Sequence, residues 1–109
     1  MHKRITFRGM EHSGFVEQYA EKQLARIIKF LENEPTPIYL DLIMDAESYP
    51  PHYIVELLVK TPHYNKISKF EGYNFNDVID RVIDVMYQEL HEEKRKLIDK
   101  RNHPRNNNK

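Results

Sequence analysis

Apolar residues recur along this chain with two periods, and the switches between them mark six elements. In "KRITFR", Ile5 and Phe7 alternate with polar neighbours, the pattern of a short half-buried strand. "GMEHSG" breaks the alternation, and Ser13 is placed to cap a helix running to about Leu31. Within that helix Ala20, Leu24, Ile27 and Leu31 fall on one stripe at about 100° per residue. "ENEPTP" has two prolines and no period, hence a loop. "IYLDLIMDAE" returns to a period of two, with Ile38, Leu40, Leu42 and Met44 on one face and Tyr39, Asp41, Ile43 and Asp45 on the other. "SYPPH" predicts a turn. "YIVELLVK" is a further strand, with Tyr53, Val55, Leu57 and Val59 facing one way, and "YNKISKFEG" reads as the next, ended by Gly72. From about Asn76, residues Ile79, Val82, Ile83, Met86, Leu90 and Leu97 repeat at helical spacing and predict a long helix that frays near Arg101.

The order β-α-β-β-β-α yields two helices with one apolar stripe each and four strands with one strongly apolar face. The expected fold is α+β: a two-layer sandwich, a four-stranded sheet with both helices packed on one face and the other face open. A chain of 109 residues supports one domain with a modest core. Residues 1–101 are expected to form it, and the polar, Asn-rich 102–109 to be a disordered tail. No run of about 18 apolar residues is present to span a membrane. No apolar signal core precedes the first strand, so the expected compartment is the cytoplasm. The absence of cysteine excludes disulfides, thiol chemistry and cysteine zinc sites.

The formal net charge is zero, but it is unevenly spread. Residues 1–30 carry six Lys/Arg against three acids, residues 31–65 one against six, and residues 66–109 ten against eight. The run from Lys94 has seven bases, and Asp99 is its one acid. Local field decides what a surface attracts, so neutrality on average leaves a polyanion partner open. Lys22, Arg26 and Lys29 lie on one line opposite the first helix's apolar stripe, close to Phe15 and Tyr19. Cations beside aromatic rings suit RNA, whose phosphates pair with charge and whose splayed bases stack. A solvated polar helix face gives the same pattern, and Glu17 and Glu21 on one flank offset the field. Lys94, Arg95, Lys96, Lys100 and Arg101 make a second positive region, where cations also favour the dipole of a helix C-terminus.

Six histidines show no HExxH, no His-x-His and no pair at i, i+4 on a helix, so no metal or cofactor is expected. His52 and His63 are placed to flank one hairpin. Asp80 and Asp84 stand at i, i+4, yet no nucleophile or phosphate-cradling glycine loop accompanies them. They read as carboxylates on a helix surface, and catalysis is not expected. "SYPPHY" reads as a hairpin loop rather than a proline-rich ligand.

"VEQYAEKQLARIIKFLE" resembles the first helix of the hibernation-promoting factor and ribosome-associated inhibitor family, and "FEGYNFNDVIDRVIDVMYQEL" resembles the start of that family's second helix. "ITFRGMEHSGFVEQY" fits its strand–loop–helix opening, and the resemblance covers roughly residues 4–98. It implies the same β-α-β-β-β-α fold and a non-enzymatic protein. That protein would bind small-subunit ribosomal RNA in the channel for mRNA and tRNA, halting translation in stress or stationary phase. It would be a monomer off the ribosome, with no DNA partner. By position, RNA contact is expected from Lys22, Arg26 and Lys29 on the first helix and from Lys94 and Lys96 on the second, with Arg81 a weaker match. Arg95, Lys100 and Arg101 join the set from the basic run. Val85, Gln88, Glu92 and Glu93 stand where cations are common in the family. A rival expectation is a protein-binding module that uses the open sheet face, with Tyr39, Ile43, Ile54 and Leu58.

Overall fold

A computed structural model describes residues 1–47 and 52–102. The elements follow the expected order: β1 (His2–Arg8), α1 (Gly14–Leu31), β2 (Tyr39–Glu47), β3 (His52–Lys60), β4 (Asn65–Gly72) and α2 (Phe75–Asn102). The strands form one sheet in the order β1-β2-β3-β4, with β1 parallel to β2 and the other neighbours antiparallel. α1 supplies the crossover that a parallel pair requires. The "SYPPH" turn up to Pro51 lies outside the described residues, and of the expected tail 102–109 Asn102 closes α2 while the rest lies outside them.

The period of two in β2 and β3 puts Leu40, Leu42 and Met44 opposite Val59, Leu57 and Val55, and all six are buried. Both helices cover this face. α1 contributes Ala20, Leu24, Ile27 and Leu31, while α2 contributes Ile79, Val82, Ile83, Met86 and Leu90 and lies over β3 and β4. Past Leu90 the helix outruns the core. Leu97 is only partly buried there, and Lys94, Lys96, Lys100 and Arg101 are exposed. No helix among the described residues is long and apolar enough to cross a membrane.

Each helix begins on a side-chain cap. The Ser13 hydroxyl accepts from the Val16 N–H at 3.3 Å, and the Asn74 carbonyl oxygen accepts from the Asp77 N–H at 3.1 Å. Gly9 ends β1 at φ +63, where a Cβ would stand 2.6 Å from the Ala46 carbonyl oxygen. That backbone turn and that approach to β2 both require glycine.

The two helices are tied to each other as well as to the sheet. The Tyr19 hydroxyl donates to Asp80 at 2.5 Å, and the Arg26 guanidinium donates to Asp84 at 2.6 Å while lying 4.6 Å from the Tyr87 ring centroid. The carboxylate at Asp80, followed by partial burial, pushes the Tyr19 phenol from 10.0 up to about 12. The folded-state value exceeds the unfolded one, so this contribution to stability is complete below about pH 10 and is lost as pH rises through about 12. Spectrophotometric titration should show Tyr19 ionising late together with the buried Tyr64, whose phenol burial also pushes up, and Tyr19→Phe should shrink that late component. A late component undiminished by the substitution would assign it elsewhere. Packing has an equally direct test. Leu57→Ala, on the covered face, should lower the free energy of unfolding by about 2–5 kcal/mol in a urea titration. Leu58→Ala, on the open face, should cost less than half of that. Equal losses would mean that the second sheet face is covered too.

Candidate nucleic-acid interface

Helical spacing alone sets Lys22, Arg26 and Lys29 on one line of α1, and packing against α2 divides them. Arg26 and Tyr19 lean toward α2 and are held by Asp84 and Asp80. Lys22 and Lys29 stay on the outer crest, exposed, with Phe15 one heptad before Lys22 and 81% exposed. Neither lysine makes an ion pair among the described residues.

The acids of α2 are largely committed within the protein. Asp84 holds Arg26, Glu93 holds Lys66 of β4 at 3.3 Å, and Glu92 and Asp99 flank Arg95 on the same helix. The Arg95 guanidinium draws the Glu92 carboxyl below the usual carboxylate range. On α1, Glu21 pairs with Lys3 of β1 and Glu17 with His12. An acid bound to a neighbouring cation acts at a distance as a dipole rather than a charge, which reduces the opposing field of Asp84, Glu93 and Glu21, while Glu32, Asp77 and Glu89 are exposed with no ion-pair partner among the described residues. Exposed pairs of this kind stabilise by only about 0.2–1 kcal/mol each. Their larger effect here is on which charges face outward.

Between the end of α1 and the middle of α2 lies a cleft of about 320 Å³, lined by Arg26, Lys29, Phe30, Tyr87, His91 and Lys94, with Glu32 and Asn33 at its end. His91 packs edge-on to Phe30 at 4.7 Å between ring centroids and against Tyr87 at 4.3 Å. The Lys94 ammonium stands 5.5 Å from the Phe30 centroid. The fold therefore brings Arg26, Lys29 and Lys94 into the lining of one cleft. The other expected residues are elsewhere. Arg81 lies 5.0 Å from the Phe70 centroid, on the flank of α2 toward β4. Arg95 is engaged with its own acids, Lys96 projects from another side of α2 than Lys94, and Lys100 and Arg101 occupy the last turn.

Phe30, Tyr87 and His91 were not among the residues expected at this face. Their signal lies in two registers: Arg26 and Phe30 at i, i+4 on α1, and Tyr87, His91 and Lys94 at i, i+4, i+7 on α2. It becomes visible only once the two helices are known to be adjacent. His52 and His63 do not share one end of a hairpin. β3 separates them, His52 contacting Glu47 and Glu71 while His63 contacts Glu34.

The same fold recurs in solved proteins. The Thermus thermophilus Protein Y N-terminal domain superposes with a TM-score of 0.67 at 19% identity, covering 82% of this chain and 94% of that one. A ribosomal subunit interface protein from Coxiella burnetii gives a TM-score of 0.68 at 21% identity, covering 86% and 98% respectively. No curated protein sequence matches the chain. A family model, however, matches residues 4–98, nearly the whole described structure. The chain belongs to the sigma 54 modulation protein / S30EA ribosomal protein family, a class of ribosome-associated proteins that are not enzymes.

Proposed function

We propose that this protein binds small-subunit ribosomal RNA through its α1–α2 face, occupies the channel used by mRNA and tRNA, and so halts translation in stress or stationary phase. The observation that carries this reading is the pairing pattern of the helices: Lys22, Lys29 and Lys94 are exposed and have no acidic partner among the described residues, whereas most neighbouring acids do have partners. A basic face next to the exposed Phe15 ring and an aromatic cleft suits phosphate contact together with base stacking. Arg101, seven residues beyond Lys94 and so on the same side of α2, extends the positive surface, while Lys96 and Lys100 project from other sides of the helix. Arg81 and Arg95 contribute less, one lying on the β4 flank and the other held by acids. The protein acts as a monomer in the cytoplasm, where ribosomes are.

A second reading has its own support. The open sheet face carries Tyr39 at 46% and Ile67 at 56% exposure around Ile43, Ile54 and Leu58, a surface that would suit a protein partner. Ionic strength separates the two. Binding to purified small subunits should weaken with salt at a slope of roughly −3 to −5 in log affinity against log salt, the value for about five neutralised phosphates. A slope near zero would favour the sheet face. Lys22→Glu with Lys29→Glu should abolish co-sedimentation with small subunits at moderate salt while leaving the fold intact by circular dichroism. Undiminished co-sedimentation would remove α1 from the interface. Arg26→Glu is a poorer probe, because it sets a carboxylate against Asp84 and disturbs helix packing directly.

A further inference from the structure

The cleft between α1 and α2 has features that a phosphate-binding surface does not need. Lysines alone can follow an RNA backbone. Three rings and three cations lining one concave site, with Arg26 over Tyr87 and Lys94 over Phe30, add a means of holding a flat, polarisable group. In double-stranded RNA the base faces are stacked inside the helix and cannot reach such rings, so of the elements of an RNA only a base that has left its stack could enter the cleft. Its volume of about 320 Å³ lies at the small end of ligand sites.

We propose that this cleft takes one unpaired nucleotide of an RNA strand, its base against Tyr87 and His91 and its phosphate between Lys29 and Lys94. The inference rests on the RNA-binding reading above and names the element of RNA that the face selects. Each wall has a defined part. Tyr87 carries the Arg26 guanidinium over one face, with Asp84 holding that guanidinium in place, so a base would meet the ring's other face or its edge. His91, exposed at the rim between Phe30 and Tyr87, offers a second plane at little cost in reorganisation. Lys29 and Lys94 approach from different helices and bracket the position of the phosphate. Glu32 and Asn33 offer acceptors for an exocyclic amine on the base.

The test uses the full chain and a short single-stranded RNA carrying one 2-aminopurine, whose fluorescence is quenched by stacking. The chain has no tryptophan, so the probe is read without interference. Wild-type protein should quench the probe, and should quench it far less when the same base is paired in a hairpin stem. His91→Ala and Tyr87→Leu should each remove the quenching and weaken binding of the strand about tenfold, the effect of losing one stacked base. His91 is exposed, so its variant is expected to fold even if Tyr87→Leu does not. Quenching that is absent from the wild type, or unchanged in His91→Ala, overturns the proposal. Displacement of the strand by micromolar adenosine monophosphate would assign the cleft to a free nucleotide and overturn the strand assignment. Sedimentation of the same preparation with small subunits separates the two readings. Co-sedimentation without quenching sinks the cleft alone, and failure of both sinks the RNA-binding face and the cleft together.

Discussion

Two carboxylates one turn apart, Asp80 and Asp84, govern how the two helices of this protein meet. Burial of the apolar sheet face requires both helices on one side, which places their polar flanks side by side. At that seam Asp80 accepts from Tyr19 and Asp84 from Arg26, while Tyr87 receives the face of the same guanidinium. The exposed Arg26–Asp84 pair contributes only about 0.2–1 kcal/mol alone, and the part-buried Tyr19–Asp80 hydrogen bond, made to a charged acceptor, contributes more. Together they fix the lateral register of α1 against α2. Every further feature of the helical face, the lysine crest and the cleft alike, depends on that register.

The seam also bears on how a chain of zero net charge could offer the cationic face proposed above. Charge here is sorted rather than accumulated. Several acids on both helices turn to partners inside the protein, among them Arg26, Lys66, Arg95 and Lys3, though Asp77 and Glu89 do not, while Lys22, Lys29 and Lys94 have no acidic partner among the described residues. The open sheet face balances part of its charge differently, with Arg4 and Asp41 paired across adjacent strands. Glu92 and Glu93, which by sequence would repel phosphate from α2, are each held by a cation. On the proposed reading, the charge of a negative residue in such a helix is offset by the neighbour that holds it.

Most of the architecture was legible in the sequence, because the apolar periods are strong and unambiguous. Ser13 marked the start of α1, and the alternation from Tyr39 to Asp45 and from Tyr53 to Val59 defined the central strands and their buried faces. The site was legible only in part. Helical spacing located the cations of α1 but could not tell that Arg26 would be drawn into the seam while Lys22 and Lys29 would not, since that division depends on which residues of α2 lie opposite. For the same reason Asp80 and Asp84 looked like solvent-facing carboxylates, and the ring cluster of Phe30, Tyr87 and His91 had no visible meaning. A pairing between elements 58 to 61 residues apart leaves no periodic trace in either one.

The central claim is that the helical face, and not the open sheet, meets the ribosome. Differential acetylation of lysines, read by mass spectrometry with and without purified small subunits, tests it most directly because both faces carry reporters. Lys22, Lys29 and Lys94 should be shielded in the complex, while Lys60 and Lys69, on the open sheet face, stay reactive. Shielding of Lys60 and Lys69 with the three helical lysines still reactive would contradict the account.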